Sequence, residues 1–373
     1  MLDVRRFSEG RVDMKTELVG MNQTELEDFF QDRGEKRFRG RQVYRWIYLN
    51  LERDFASMTD LPLQLRQVLE EKARVTWPEV LEEKVSEDGT RKFLLELQDQ
   101  KTIEMVLIPQ PVDSGLRYTV CVSSQVGCPL RCSFCATGAG GFERNLKVHE
   151  IVGQVLLSRW VLARENTGAE PRLTNVVFMG MGEPFLNYDA VLSAIRLLTD
   201  SEGINMGQRH ITVSTSGEVR GIRRLAEEGL QVVLAVSLHA ARDSLRDTLV
   251  PLNRRYPLAE LQSAVQYYFD KTGRRVTLEY ILLNRINTNR EDARALVTFT
   301  RPLLANVNLI PYNEIGSAGY ECPPQEVVTR FRRWLEEAGV NTAIREERGA
   351  DIDAACGQLK AKREDIWQEN DTG

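Results

Sequence analysis

From about residue 117 onward, six short β-branched runs alternate with amphipathic helical stretches, and this alternation is what most restricts the fold. The runs are Tyr118–Ser123, Asn175–Met179, His210–Ser214, Val232–Ser237, Arg275–Leu283 and Asn306–Pro311, with helical segments such as Val148–Arg164 and Leu258–Lys271 between them. A helix between two strands returns the chain to the end where it began, so successive strands lie parallel in one sheet. A closed eight-fold barrel takes about 250 residues. Six strands in a shorter stretch predict an α/β fold, a partial (β/α)6 barrel whose site gathers where its strands end.

The chain before the barrel reads differently. Thr24-Glu25-Leu26-Glu27 has capping-box form, with Leu26, Phe29 and Phe30 as the apolar side. Further helices are expected over Gly40–Asn50 and Leu61–Lys72. Asp88-Gly89 is a turn signal, and Arg91–Leu97 with Thr102–Ile108 reads as a hairpin around Gln98–Lys101. At the other end, a helix over Pro324–Ala338 places Val327, Phe331 and Leu335 on one face, and an extended tail from Thr342 to Leu359 carries Cys356. The expected division is 1–82 for a small N-terminal helical domain, 83–113 for a connecting β-hairpin, 114–345 for the barrel core and 346–373 for the tail.

Hydrophobic content of 42% and charged content of 28% are ordinary for a soluble globular chain, and no run of 18 apolar residues is long enough to span a membrane. The first 18 residues hold no apolar stretch of signal-peptide type. Six cysteines are too few for a disulfide scaffold, and four of them crowd into Cys121–Cys135. That reads as a metal or redox site in a reducing cytoplasm.

The strongest chemical signal is Gly127-Cys128-Pro-Leu-Arg-Cys132-Ser-Phe-Cys135, in the loop after the first barrel strand. Iron–sulfur clusters ordinarily have four thiolate ligands. Three at CxxxCxxC spacing leave one iron of a [4Fe–4S] cluster open to an external chelator, and the amino and carboxylate groups of S-adenosylmethionine suit it. The competing zinc reading would need a second cysteine pair to reach four ligands, and none exists in the sequence.

With its neighbours, this loop resembles the RlmN/Cfr family of radical-SAM RNA methyltransferases. The resemblance is carried by Cys121-Val-Ser-Ser-Gln-Val-Gly-Cys128, Cys135-Ala-Thr-Gly, Asn175-Val-Val-Phe-Met-Gly-Met-Gly-Glu183-Pro, Ser214-Thr-Ser-Gly, Ser237-Leu-His239, Asp353-Ala-Ala-Cys356-Gly and the N-terminal Phe38-Arg-Gly-Arg-Gln42. It covers almost the whole chain. It implies methylation of adenine C2 in 23S rRNA and in a tRNA anticodon loop, with C8 of the same rRNA adenosine as the sister activity. Two S-adenosylmethionine molecules would be used per turnover. One methylates Cys356; the other yields a 5′-deoxyadenosyl radical that takes hydrogen from that methyl. The resulting carbon radical joins enzyme to RNA, and a transient Cys121–Cys356 disulfide releases the product. A thiolate methyl carrier suits this chemistry, because adenine C2 is not a nucleophile.

The same resemblance implies that Cys128, Cys132 and Cys135 hold the cluster. Gly182, Glu183, Ser214, Ser237, Leu238, His239 and Asn313 would contact S-adenosylmethionine. Glu104 matches the family's proton acceptor, although this chain carries a longer connection between Glu104 and Cys121. Cys121 could also serve as that base, and both remain open. Cys322 matches no catalytic position. A flavodoxin-like electron donor, a cytoplasmic location and a monomer are expected.

Net charge is −5, which argues weakly against nucleic acid. Its distribution qualifies that. Arg33, Lys36, Arg37, Arg39, Arg41 and Arg45 face only Asp32 and Glu35 within one stretch, interleaved with Phe38, Tyr44, Trp46 and Tyr48. This is either the charged face of an ordinary helix or a phosphate-contacting RNA surface.

Overall fold

The computed structural model describes residues 15–112, 115–164, 172–315 and 318–360. The chain divides into two compact units, Met1–Thr76 and Trp77–Gly373.

In the first unit, β1 (Thr16–Glu17) precedes helices α1 (Gln23–Gln31), α2 (Phe38–Tyr48) and α3 (Leu63–Lys72), and β2 (Ala73–Arg74) closes back on β1 in parallel. The capping box forms two residues earlier than expected. Asn22, in extended backbone, accepts from Glu25 N at 2.9 Å, while the Glu25 carboxylate accepts from Asn22 N. Thr24 therefore lies inside the first turn. Glu27 turns inward instead, where Arg41 and Arg37 hold its carboxylate at 2.7 and 3.1 Å and keep it below the usual carboxylate range. Arg33 donates to Phe29 O and lies over the Phe29 ring. Much of the basic stretch thus has partners within the unit, yet Arg33, Arg37 and Arg41 stay exposed, as do Lys36 and Arg45. Leu26, Phe30, Val43, Tyr44, Ile47 and Tyr48 form the core. The Tyr48 hydroxyl donates to Met21 O and accepts from Gly20 N.

The second unit begins with β3 (Glu79–Val85), β4 (Arg91–Glu96), β5 (Thr102–Val112) and β6 (Gly115–Cys121). A small hairpin of β7 (Gln125–Gly127) and β8 (Phe142–Asn145) brackets α4 (Ala136–Ala139). Strand–helix alternation follows: α5 (Val148–Ala163), β9 (Arg172–Phe178), α6 (Tyr188–Thr199), β10 (Ile211–Thr215), α7 (Val219–Glu227), β11 (Val233–Ser237), α8 (Asp243–Leu249), α9 (Leu258–Thr272), β12 (Val276–Leu282), α10 (Arg290–Thr300), β13 (Ala305–Pro311), α11 (Gln325–Glu337) and β14 (Thr342–Ile344). One ten-stranded sheet runs β14-β13-β12-β11-β10-β9-β6-β5-β4-β3. Its pairs from β6 to β14 are parallel, the arrangement of an open, partial barrel.

The structure departs from the sequence reading at four points. The hairpin is not a linker: β5 pairs antiparallel along all of β6, from Val106 opposite Cys121 to Val112 opposite Gly115, so β3–β5 extend the barrel sheet. The near-continuous burial of Ile103–Leu107 explains this, since a strand covered on both faces reads as an unbroken apolar run. Strand β3 also straddles the expected 82/83 boundary, and the units separate at 76/77. A seventh parallel strand, β14, forms where an extended tail was expected. On α11 the buried set is Val328, Phe331 and Leu335, with Val327 half-buried. No described helix is long and apolar enough to cross a membrane.

Helices α1 and α2 cross so closely that a Cβ at Gly40 would lie 2.5 Å from Glu27 N. Backbone cannot yield as a side-chain tip can. Gly40→Ala is expected to destabilise the first unit by about 1–3 kcal/mol, as overpacking of a close contact does. Calorimetry should show an unfolding transition shifted downward, with the second unit's transition unmoved.

Candidate active site

Strand β6 delivers its last residue, Cys121, to the top of the sheet, and the chain then forms the cysteine loop. Gly127 turns it with φ of +74°, at a point where a Cβ would meet Gly141 O at 2.0 Å. Cys128 N donates to that same carbonyl at 2.7 Å, and Cys135 N donates to Cys132 O. Phe134 anchors the loop beneath, packed with Leu249, Val250 and Tyr312 and edge-on to the His239 ring. Cys128, Cys132 and Cys135 consequently face one cavity of about 150 Å³.

Burial pushes the Cys128 thiol up to about 12 and shifts Cys132 in the same direction, with the neighbouring thiols adding to it. Such groups become thiolates when a cation binds them. Among the described residues no three His, Cys, Asp or Glu side chains converge closely enough for a single metal ion. A [4Fe–4S] cluster makes a different demand, because each thiolate meets its own iron.

The strand ends build the rest of the cavity. After β9, the Gly180-Met-Gly182-Glu183 turn packs against residues 122–125. Gly182, at φ +104°, leaves no space for a Cβ beside Gln125. Glu183 is buried, and its carboxylate accepts from Ser216 N at 2.7 Å and Phe185 N at 3.1 Å. Burial nevertheless lifts its pKa to about 7. Ser214 and Ser237 approach to 3.5 Å between hydroxyls at the ends of β10 and β11. His239 has φ of +57°, and its Nδ1 accepts from Ile281 N, which leaves Nε2 as the proton-bearing nitrogen. Burial lowers its pKa to about 3, so the ring is neutral.

Cys356 joins this cavity because the tail folds back. Ala136 N donates to Gly357 O and the Thr137 hydroxyl to Leu359 O, both at 2.7 Å. From the other side, Lys92 Nζ donates to Asp353 O at 3.1 Å, and the Ser86 hydroxyl to Asp351 at 2.6 Å. A second cavity of about 300 Å³, bordered by β5, β6 and β13, shares Cys356, Arg345 and Ile310 with the first.

The sequence candidates do not all converge. Cys128, Cys132, Cys135, Gly182, Glu183, Ser214, Ser237, His239 and Cys356 line the first cavity. Leu238 does not: its side chain is buried core, and only its backbone participates, accepting from Arg246 and donating to Glu279 O. Asn313 lines the second cavity and donates to Cys356 O at 3.5 Å. Cys121 is 9% exposed, with its thiol pushed up to about 12 by burial and further by Cys356. Cys121 and Cys356 are both free thiols. Glu104 lies outside both cavity linings. Its carboxylate accepts from Lys360 N at 2.6 Å and pairs with Lys92 at 3.4 Å, so it holds the tail. Cys322 is exposed and stands apart.

Sequence reading missed three residues. Arg246 is fully buried and donates to Ser216 O, Ser237 O, Leu238 O and Asn253 Oδ1, which ties the ends of β10 and β11 together. Arg345 and Glu279 line the first cavity. A lone acid within Val276-Thr-Leu-Glu279-Tyr-Ile-Leu was the available signal for Glu279. Arg246 gave none, since a charge on a short helix ordinarily faces water.

Comparison with known proteins extends the geometry. Residues 16–75 match the ribosomal RNA large subunit methyltransferase N-terminal domain, and residues 122–297 match the radical SAM superfamily. A protein of Syntrophomonas wolfei named probable dual-specificity RNA methyltransferase RlmN is 53% identical, over 93% of this chain and 98% of its own length. The dual-specificity RNA methyltransferase RlmN of Alcanivorax borkumensis is 45% identical, over 95% of this chain and 94% of its own. The crystal structure of a radical SAM methyltransferase from Sphaerobacter thermophilus superposes with a TM-score of 0.88 at 46% identity, over 93% of this chain and all of that one.

Glu183 gives a pH test. Its carboxylate is ionised above about 7 and neutral below. Attraction for a ligand's ammonium is therefore present above that pH and lost as pH falls through it. Calorimetric affinity of the reconstituted protein for S-adenosylmethionine should tighten between pH 6 and 8. Glu183→Gln should bind about tenfold to a hundredfold more weakly, the scale of a lost charged hydrogen bond, with a flat pH profile.

Proposed function

The chain belongs to the RlmN family of dual-specificity RNA methyltransferases, and from that membership we propose that it methylates C2 of an adenosine in 23S rRNA and of one in a tRNA anticodon loop. It is a radical-SAM, S-adenosylmethionine-dependent RNA methyltransferase. The observation that carries the finer reading is the presence of Cys356 in the cavity that the three loop cysteines line, brought there by a tail more than 200 residues downstream.

Cys128, Cys132 and Cys135 would hold the [4Fe–4S] cluster, which when bound supplies the electron that cleaves S-adenosylmethionine to a 5′-deoxyadenosyl radical. Glu183 and the Gly182 backbone are placed to receive the ammonium group. Ser214, Ser237 and the neutral His239 offer hydrogen bonds at the strand ends. Cys356 takes the methyl group as a thiolate nucleophile and presents it at the junction of the two cavities. The junction of the two cavities, reached through the second one beside β5 and β13, suits an adenine extruded from paired RNA, since the C2 edge is inaccessible within a duplex.

Release falls to Cys121. Once the adduct radical has lost its C2 proton to a base and one electron, which the oxidised cluster would accept, the Cys121 thiolate attacks Cys356 sulfur, a disulfide forms, and the carbon–sulfur electron pair stays with the new methyl carbon, which takes a proton. A reductant then restores both thiols. Cys121 starts as a thiol, so this step requires its deprotonation. Arg345, whose charge acts on both Cys121 and Cys356, favours the thiolate. Glu104 is occupied by Lys360 N and Lys92 while the tail is docked, so as proton acceptor it would act only after that contact opens.

Mass spectrometry of nucleosides from RNA reacted anaerobically should show 2-methyladenosine in both rRNA and tRNA substrates. An 8-methyl product would assign the sister activity. Cys356→Ala should yield no methylated RNA, and Cys121→Ala should accumulate an RNA–protein adduct through Cys356. With the wild-type protein, decay of that adduct should quicken about tenfold per pH unit from 7 to 9, as attack by a high-pKa thiol requires. A pH-independent decay would remove Cys121 from the release step.

A further inference from the structure

One carboxylate oxygen in the barrel is stranded. Glu279 is 4% exposed, and its Oε1 accepts from Asn308 Nδ2 at 3.1 Å. Its Oε2 is fully buried with no hydrogen-bond partner among the described residues. Arg345 Nη1 stands 4.0 Å away, beyond hydrogen-bond reach. Buried polar atoms are almost always satisfied, and an unpaired oxygen on a residue that lines a cavity points to a ligand that the side chain meets by turning toward it.

Both side chains line the first cavity, and Arg345 continues into the second, so the pair stands where the cavities meet at Cys356. The arrangement offers an acceptor and a donor side by side. The Watson–Crick edge of adenine offers the complement, an exocyclic amine beside the N1 acceptor. Guanine presents an oxygen where adenine has its amine, and that oxygen would face the carboxylate. Ile281, Ile310 and Met179 line the same cavity and supply apolar surface for the faces of a base.

We propose that Glu279 and Arg345 form the recognition subsite for the acceptor adenine, with Glu279 Oε2 accepting from the exocyclic amine and the Arg345 guanidinium donating to N1. The inference rests on the reading of the chain as an adenine methyltransferase. It deepens that reading, because C2 is bonded to N1. A base gripped by this edge presents C2 beside the contact and turns C8, across the ring system, away. A hydrogen bond at N1 also draws electron density from C2, which favours addition of a carbon-centred radical there. The group that sets specificity would thereby select the carbon that reacts.

S-adenosylmethionine also carries an adenine edge, and the test separates the two sources. The probes are an RNA hairpin containing the target adenosine and the same hairpin with purine ribonucleoside at that position, which lacks the exocyclic amine. The wild-type protein should methylate the analogue with kcat/KM at least about tenfold lower, as expected when a buried partner is left unpaired. Glu279→Ala should lose at least about tenfold on the adenosine hairpin with the analogue changed less than about twofold, so discrimination collapses. Glu279→Gln keeps the shape and removes the charge, and it should lose about fivefold on adenosine alone. Affinity for S-adenosylmethionine, and methylation of Cys356 without RNA, should stay within about twofold.

Equal losses on both hairpins in the Gln and Ala variants would overturn the subsite. So would a tenfold weaker affinity for S-adenosylmethionine, which would assign the pair to the cosubstrate. Failure of the wild-type protein to methylate the unmodified hairpin would instead overturn the activity on which the inference rests.

Discussion

Hydrogen bonds that return residues 349–360 to the barrel bring Cys356 to the cavity that Cys128, Cys132 and Cys135 line. Asp88 accepts from Gly349 N, Lys92 reaches Asp353 O, Glu104 accepts from Lys360 N, and α4 contributes the contacts to Gly357 and Leu359. Several of these groups are buried, where an unmade hydrogen bond costs about 1–3 kcal/mol, so docking and satisfaction of the hairpin go together. The antiparallel extension β3–β5 is thus the platform on which the tail is seated, a role its place at the edge of a parallel barrel would not announce.

A second constraint lies deeper. Arg246 sits without exposure beneath the ends of β10 and β11, and burial lowers its pKa to about 10. Four oxygens compensate by accepting from it. A buried cation so bound resists displacement, and the carbonyls that it gathers belong to Ser216, Ser237 and Leu238. The positions of Ser214, Ser237 and His239 depend on that brace, although Arg246 does not line the cavity itself.

The legibility of the fold in the sequence followed periodicity. Six of the seven parallel strands were legible because each is a short β-branched run in a strand–helix alternation, whereas β14 is only three residues long. The hairpin was legible as strands but not in its pairing, because nothing local says that residue 106 will lie opposite Cys121. The capping box was placed at Thr24 because two overlapping patterns compete there, and the extended backbone of Asn22 decides between them. Among site residues, those in dense motifs such as Cys128–Cys135 and Gly180–Glu183 could be read directly. Leu238 fell within a motif but contributes only backbone. Glu279 and Arg345 carry no motif, and their meaning comes from a long-range meeting of β12 with the end of β14.

The anchors on either side of Cys356 also fix how far it can travel. Contacts at Asp353 O and Gly357 O leave only residues 354–356 between them, a tether of roughly 10 Å at full extension. While both contacts hold, the Cys356 thiol can swing only about the junction of the two cavities that it borders, and no group beyond that short arc comes within its reach.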